Sequence, residues 1–183
     1  MTSSSSVLRD AFLDSNIWLE LLAVRSPQKP HEVLQSRLAS NLLKELKFRK
    51  ITIHSNYQQL VEIINSIQKV KRKEFSDSLK QAGKKGIGSV KEYRAYPDFN
   101  EAIAVCKVAI DDIQQLVSMS DSANVPIQEI LDNLQFIDIN DYFYYKYCIE
   151  NNLILYTFDK ELKKFDANGV VKLLEETPVF YDL

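Results

Sequence analysis

The sequence predicts a single α/β domain built on a parallel sheet. Three observations carry this. Short apolar runs at 11–13, 51–53 and 153–156 have the length and composition of strands buried on both faces. Longer segments with apolar residues at helical spacing separate them. Towards the end of the chain, strand, helix and strand follow one another with short connections, a βαβ unit that implies parallel pairing.

The elements fall in this order. Asp10 to Asp14, with Ala-Phe-Leu inside it, reads as a central strand. Ser15 or Asn16 can cap a helix from about Ile17 that stops before Pro27. Pro30 opens a second helix over His31 to Phe48, with Leu34, Leu38, Leu42 and Leu46 in its apolar stripe. Ile51 to Ile53 reads as a strand, and Ser55 or Asn56 caps a helix from Tyr57 to about Phe75. Gly83, Gly86 and Gly88 then lie among Lys80, Lys84, Lys85 and Lys91, which reads as a mobile basic connector. A helix is expected from Asp98 to Met119, and a short one from Pro126. Strand Gln135–Ile139, helix Asp141–Glu150, strand Leu153–Thr157 and strand Val170–Leu174 complete the chain. Residues 1–183 form one domain on this reading, with the connector and extra helix at about 76–119 as an insertion.

Composition narrows the function classes. Apolar residues make up 45% of the 183, enough for a sizeable core and too many for a disordered chain. A formal charge of −2 gives no global field, so contact with nucleic acid must rest on a local basic patch. Cys106 and Cys148 sit in apolar helical patterns without CxxC spacing. They read as buried free thiols in a reducing, cytoplasmic setting. His31 and His54 lie far from both, which argues against zinc. The polar opening MTSSSS is expected to fray and does not resemble a signal peptide. No apolar run is long enough to cross a membrane.

Four acids draw the chemistry together: Asp14, Glu62, Asp141 and Asp159. Each lies beside the end of an expected strand or early in the helix after one. A parallel sheet gathers such points into one crevice at its carboxyl edge. Two bare carboxylates about 4 Å apart repel by roughly 4 kcal/mol at an effective dielectric near 20. Three or four together call for a divalent cation. Each acid also has a local reading. Asp14, Asp141 and Asp159 could be helix caps, and Glu62 could be a solvated helix residue beside Gln58, Asn65 and Lys69. Asp138, at the end of the expected third strand, rivals Asp141 as the third acid. The local readings explain the acids singly and say nothing about convergence.

Together these residues resemble the PIN-domain nucleases, including the VapC-like toxins of bacterial toxin–antitoxin pairs. The likeness lies in AFLDSNIWLELL, in LVEII, and in DYFYYKYCIENNLILYTFDKEL, which ends on Thr157-Phe158-Asp159. It implies a three-layer α/β/α domain with sheet order 3-2-1-4-5. It implies Mg²⁺ or Mn²⁺ held by Asp14, Glu62, Asp141 and Asp159, with Asn16 and Thr157 in support. The implied activity is hydrolysis of RNA phosphodiesters, with an antitoxin protein as partner and a homodimeric form. The main alternative is a PIN-like RNA-binding or interaction module without turnover. An aspartyl-phosphatase reading of Asp14-Ser-Asn16 fails for want of a second aspartate.

Substrate grip is expected from Lys69, Lys71, Arg72 and Lys73, and from Lys84 and Lys85 in the glycine connector. The tyrosines at 142–147 could stack on bases, although Phe143 and Tyr147 fit a core better.

Overall fold

The computed structural model describes residues 9–24, 27 and 29–175. The polar opening segment therefore lies outside the described residues. Five strands form one wholly parallel sheet: β1 (Ala11–Leu13), β2 (Ile53–Asn56), β3 (Ser118–Ser120), β4 (Ile154–Thr157) and β5 (Val171–Leu173). Their order is β3-β2-β1-β4-β5. The helices are α1 (Ser15–Leu21), α2 (Pro30–Phe48), α3 (Tyr57–Gln81), α4 (Val90–Tyr93), α5 (Phe99–Gln114), α6 (Ile127–Asn133), α7 (Ile139–Glu150) and α8 (Lys160–Phe165).

Strand alternation divides the core in two. In β1, Ala11 and Leu13 join the apolar cluster under α1, α2, α3 and α5, while Phe12 joins the cluster under α6, α7 and α8. In β4, Ile154 and Tyr156 face the first cluster and Leu155 the second. All three β1 residues are fully buried, so this strand is covered on both faces. The molecule is thus a three-layer α/β/α fold. Register is set by Ala11 opposite Ile53 on one side and Ile154 on the other. No helix among the described residues is long and apolar enough to cross a membrane.

The third strand lies elsewhere than expected. Gln135–Ile139 is not a strand. It is the turn after α6 and the entry to α7, and only Ile137 of its five residues is buried. Its apolar residues Phe136, Ile137 and Ile139 suit a strand, but no neighbouring strand pairs with them. The third strand is Ser118–Ser120, parallel to β2 through His54 opposite Ser118. The expected helix Asp98–Met119 accordingly stops at Gln114. A three-residue edge strand with one apolar side chain carries no periodicity to detect. The second strand begins two residues later than expected, at Ile53.

The basic connector is not loose. The α3 helix runs on to Gln81, beyond the expected Phe75. The following chain then folds back on it. Ile87 donates its N–H to Ser76 at 2.9 Å, and Arg72 donates to the carbonyl oxygens of Ile87 and Gly88 at 2.8 and 3.2 Å. Ile87, Tyr93 and Ala102 make a small separate core with Phe75, Leu79 and Phe99. Gly86 is required by close approach, because a Cβ there would stand 2.6 Å from the Lys80 side chain and 2.7 Å from Ser76 Oγ. Cys106 and Cys148 are free and buried, as expected.

Truncation separates the true sheet from the apparent one. Phe12→Ala is expected to destabilise by about 3–5 kcal/mol, the usual range for a buried phenylalanine. Phe136→Ala, at a residue 62% exposed, should stay within about 0.5 kcal/mol of the parent. Urea unfolding midpoints check both, and a large loss at Phe136 would restore the strand reading.

Candidate functional site

The site begins where β1 and β4 end side by side. Asp14 follows the last residue of β1, and its N–H donates to the Tyr156 carbonyl at 2.9 Å, extending the ladder by one bond. It holds the N-cap position of α1 and is almost fully buried. Thr157, the last residue of β4, donates its hydroxyl to Asp14 Oδ2 at 2.6 Å. The same hydroxyl accepts the N–H of Asp159 at 2.9 Å. One threonine therefore ties the first acid to the turn that carries the fourth.

Burial pushes the Asp14 carboxyl up to about 6. The Thr157 hydroxyl opposes the shift, the Glu62 charge adds to it, and the N–H groups of Asn16 and Ser15 pull the other way. Asp141, in the first turn of α7, is raised further, to about 7. Burial is the main cause, and the charges of Asp14, Asp159 and Glu62 follow in that order. Asp138 contributes least and is exposed at the N-cap of α7. Asp141 is thus the acid of α7 that senses the other three.

Glu62 lies in the second turn of α3 and is half-buried. It is not simply solvated. Ser15 donates its hydroxyl to Glu62 Oε2 at 2.8 Å, and the Tyr144 hydroxyl donates to the same oxygen. Burial and the Glu62 charge hold the proton on Tyr144, which fixes it as the donor. Asp159 does cap α8, accepting the Glu161 N–H at 2.7 Å. Asn16 is exposed, with its amide 3.5 Å from Asp14 Oδ2.

Ser15 and Tyr144 were not singled out by the sequence reading. Ser15 lay inside the LDSN motif and was read as a cap. Tyr144 belonged to a run of aromatic residues in which nothing marked one hydroxyl. Gln59 was also missed. Fully buried, it donates to the Leu13 carbonyl at 2.7 Å and accepts from Ser55 at 2.8 Å, pinning the α3 start to the end of β1.

The expected basic patch is divided. Lys69 lies about two helical turns beyond Glu62 on the same face of α3 and lines a cleft with it. Lys71 pairs with Glu74 at 2.9 Å. Arg72 is engaged by the connector backbone, and Lys73 lines a second cleft formed with Lys80, Ile87 and Gly88. Lys84 and Lys85 are exposed on the connector. Tyr142, Tyr144, Tyr145 and Tyr147 are buried, so they offer no surface on which bases could stack.

Among the described residues, no three His, Cys, Asp or Glu side chains stand close enough to form a ready metal-binding group. The donors nonetheless suit a hard divalent cation in kind, since all are carboxylate oxygens and two are held above their ordinary pKa. The oxygens of Asp14, Glu62 and Asp159 are turned to Thr157, to Ser15 and Tyr144, and to the α8 backbone in that order.

No protein-family model and no curated protein matches the chain. Among solved structures, the crystal structure of PAE2754 from Pyrobaculum aerophilum is similar to it. The TM-score is 0.49 and the identity 14%, over 89% of this chain and 83% of that one. So loose an overlap does not bear on function.

The raised carboxyls make stability depend on pH in an unusual direction. Because the folded protein binds these protons more tightly than the unfolded chain, their contribution is full below about pH 4. It is lost as pH rises through 6 to 7. Asp141→Asn should therefore stabilise the metal-free protein at pH 8 by on the order of 2 kcal/mol, with little gain at pH 4. Chemical denaturation at the two pH values measures this, and equal effects at both would mean that Asp141 does not titrate as described.

Proposed function

We propose that this protein is a Mg²⁺- or Mn²⁺-dependent ribonuclease whose site is Asp14, Glu62, Asp141 and Asp159. The observation that supports it most is the upward shift of Asp141, to which the charges of the other three acids contribute. The charges of acids from three other segments bear on Asp141 near the carboxyl edge of a parallel sheet, where such folds bind ligands. The likeness to PIN-domain nucleases in those same positions supplies the chemistry.

Asp14 and Asp141 act as direct ligands on this reading, and Glu62 and Asp159 as ligands or as groups that orient water. The bound cation supplies a water of lowered pKa and offsets charge on the phosphate in the transition state. Thr157 holds Asp14 and orients the turn before Asp159. Ser15 and Tyr144 fix the Glu62 carboxylate. Asp141, held above the ordinary carboxylate range by burial, would be one of the groups to hold the cation. RNA is the substrate, and the toxin of a toxin–antitoxin pair, with an antitoxin partner and a homodimeric form, is the setting this reading implies.

A second reading, an RNA-binding or interaction module of the same fold without turnover, is favoured by one observation. The carboxylates already have hydroxyl and amide donors, and no compact metal group stands among the described residues.

Asp14→Asn and Asp141→Asn are each expected to leave the fold intact and slow RNA cleavage by roughly a hundredfold or more. Undiminished cleavage by both variants rules out the site assignment. Calorimetric titration with Mn²⁺ at pH 6.5 separates the two readings. The nuclease should bind the ion, lose binding in Asp159→Ala, and release a proton, seen as an enthalpy that changes with the buffer. No uptake of Mn²⁺ favours the module.

A further inference from the structure

We propose that the cleft between the start of α3 and the start of α7 is a subsite for one unpaired nucleotide, with Tyr57 as the stacking platform for its base. The inference rests on the ribonuclease reading and specifies the form of its substrate as single-stranded.

The cleft holds about 400 Å³ and is lined by Tyr57, Val61, Glu62, Ser66, Lys69 and Asn140, among others. That volume falls within the roughly 300–1,000 Å³ of small-ligand clefts. Tyr57 is the first residue of α3 and is 66% exposed, and Val61, one turn on, is 56% exposed. An aromatic ring and a β-branched side chain at successive turns give an apolar wall open to solvent. The four tyrosines of α7 are buried in the core and its Phe143 partly so, whereas the Tyr57 ring of α3 is open to solvent.

The other walls are polar in a way that suits a nucleotide. Asn140 and Gln58 meet at 3.4 Å, the Gln58 amide donating to Asn140 Oδ1. Two amides at the mouth of a cleft present both donors and acceptors to a base edge. Lys69 lines the far end of the same cleft, about 18 Å of helix beyond Tyr57, and supplies a cation for a phosphate further along the strand. Glu62, one of the four acids, forms the wall shared with the candidate site. A base resting on Tyr57 would direct its sugar and phosphate along the cleft towards Glu62, which lies about 7.5 Å further along the helix. A duplex cannot use the platform, because its bases are already stacked.

Stacking on an aromatic side chain is worth about 1–3 kcal/mol per base, so its loss should weaken binding roughly tenfold. The test compares Asp14→Asn protein with the same protein carrying Tyr57→Ala, Tyr57→Phe or Lys69→Ala. The probes are a fluorescently labelled single-stranded RNA and its duplex, measured by anisotropy in Mg²⁺ over a range of salt. Tyr57→Ala is expected to weaken single-strand binding about tenfold while Tyr57→Phe keeps it and duplex binding is unmoved. Lys69→Ala should lower the salt slope by about one phosphate contact. Tight RNA binding that is the same in Tyr57→Ala and the parent overturns the subsite and leaves the nuclease reading standing. RNA binding by none of the proteins removes both. Thermal melting of each variant shows that its fold is retained.

Discussion

The whole arrangement depends on burying a carboxylate at the seam between β1 and β4. Neighbouring parallel strands end together there, and the sheet order turns from β1 towards β2 and β3 on one side and β4 and β5 on the other. That reversal opens the crevice in which Asp14 sits, out of water. A buried carboxylate is tolerated only if it is paired, hydrogen-bonded or protonated. Thr157 provides the hydrogen bond, and the raised pKa shows that it offsets only part of the burial. The remaining imbalance is what a cation at this position would relieve.

The hydroxyls around the acids serve fold and site together. Tyr144 packs its ring against Phe12 with centroids 5.2 Å apart, in the core on the α7 side of the sheet. Its hydroxyl reaches through to Glu62 on α3, and Ser15 of α1 meets the same carboxylate. Three helices from both faces of the sheet are thereby joined at one oxygen. Displacing Glu62 would disturb a core aromatic as well as the site, which gives the carboxylate a rigid setting. Rigidity of this kind suits a group that must hold a fixed geometry during a reaction.

Legibility in the sequence followed local contrast. Asp14 and Thr157-Phe158-Asp159 stood out because each follows a short apolar run that could only be a buried strand. The core strands β1 and β4 were readable for the same reason. Strand β3 was not, since Ser118, Met119 and Ser120 are too few, with one apolar side chain, and the strand exists through its pairing with β2. Gln135–Ile139 failed in the opposite sense. It is rich in apolar strand-forming residues, but no strand lies beside it, and the chain there is a turn between α6 and α7. Glu62 reads as a solvated helix residue in the sequence but is half-buried, because its partners Ser15 and Tyr144 come from far along the chain. The connector looked mobile from its glycines and lysines, whereas Gly86 is small because Ser76 and Lys80 press against it.

Apolar patterning alone determined the fold class, the two central strands and the segments that carry the four acids, because burial on both faces leaves a local mark on composition. Tertiary structure decided the rest. It fixed which edge strand completes the sheet, that Asp141 is buried and Asp138 exposed, that hydroxyls bond Asp14 and Glu62, and that Tyr57 is exposed while the α7 tyrosines are buried. Each of these depends on how residues distant in sequence approach in space. Such distances are set by packing of whole elements, and no local window of the chain contains them.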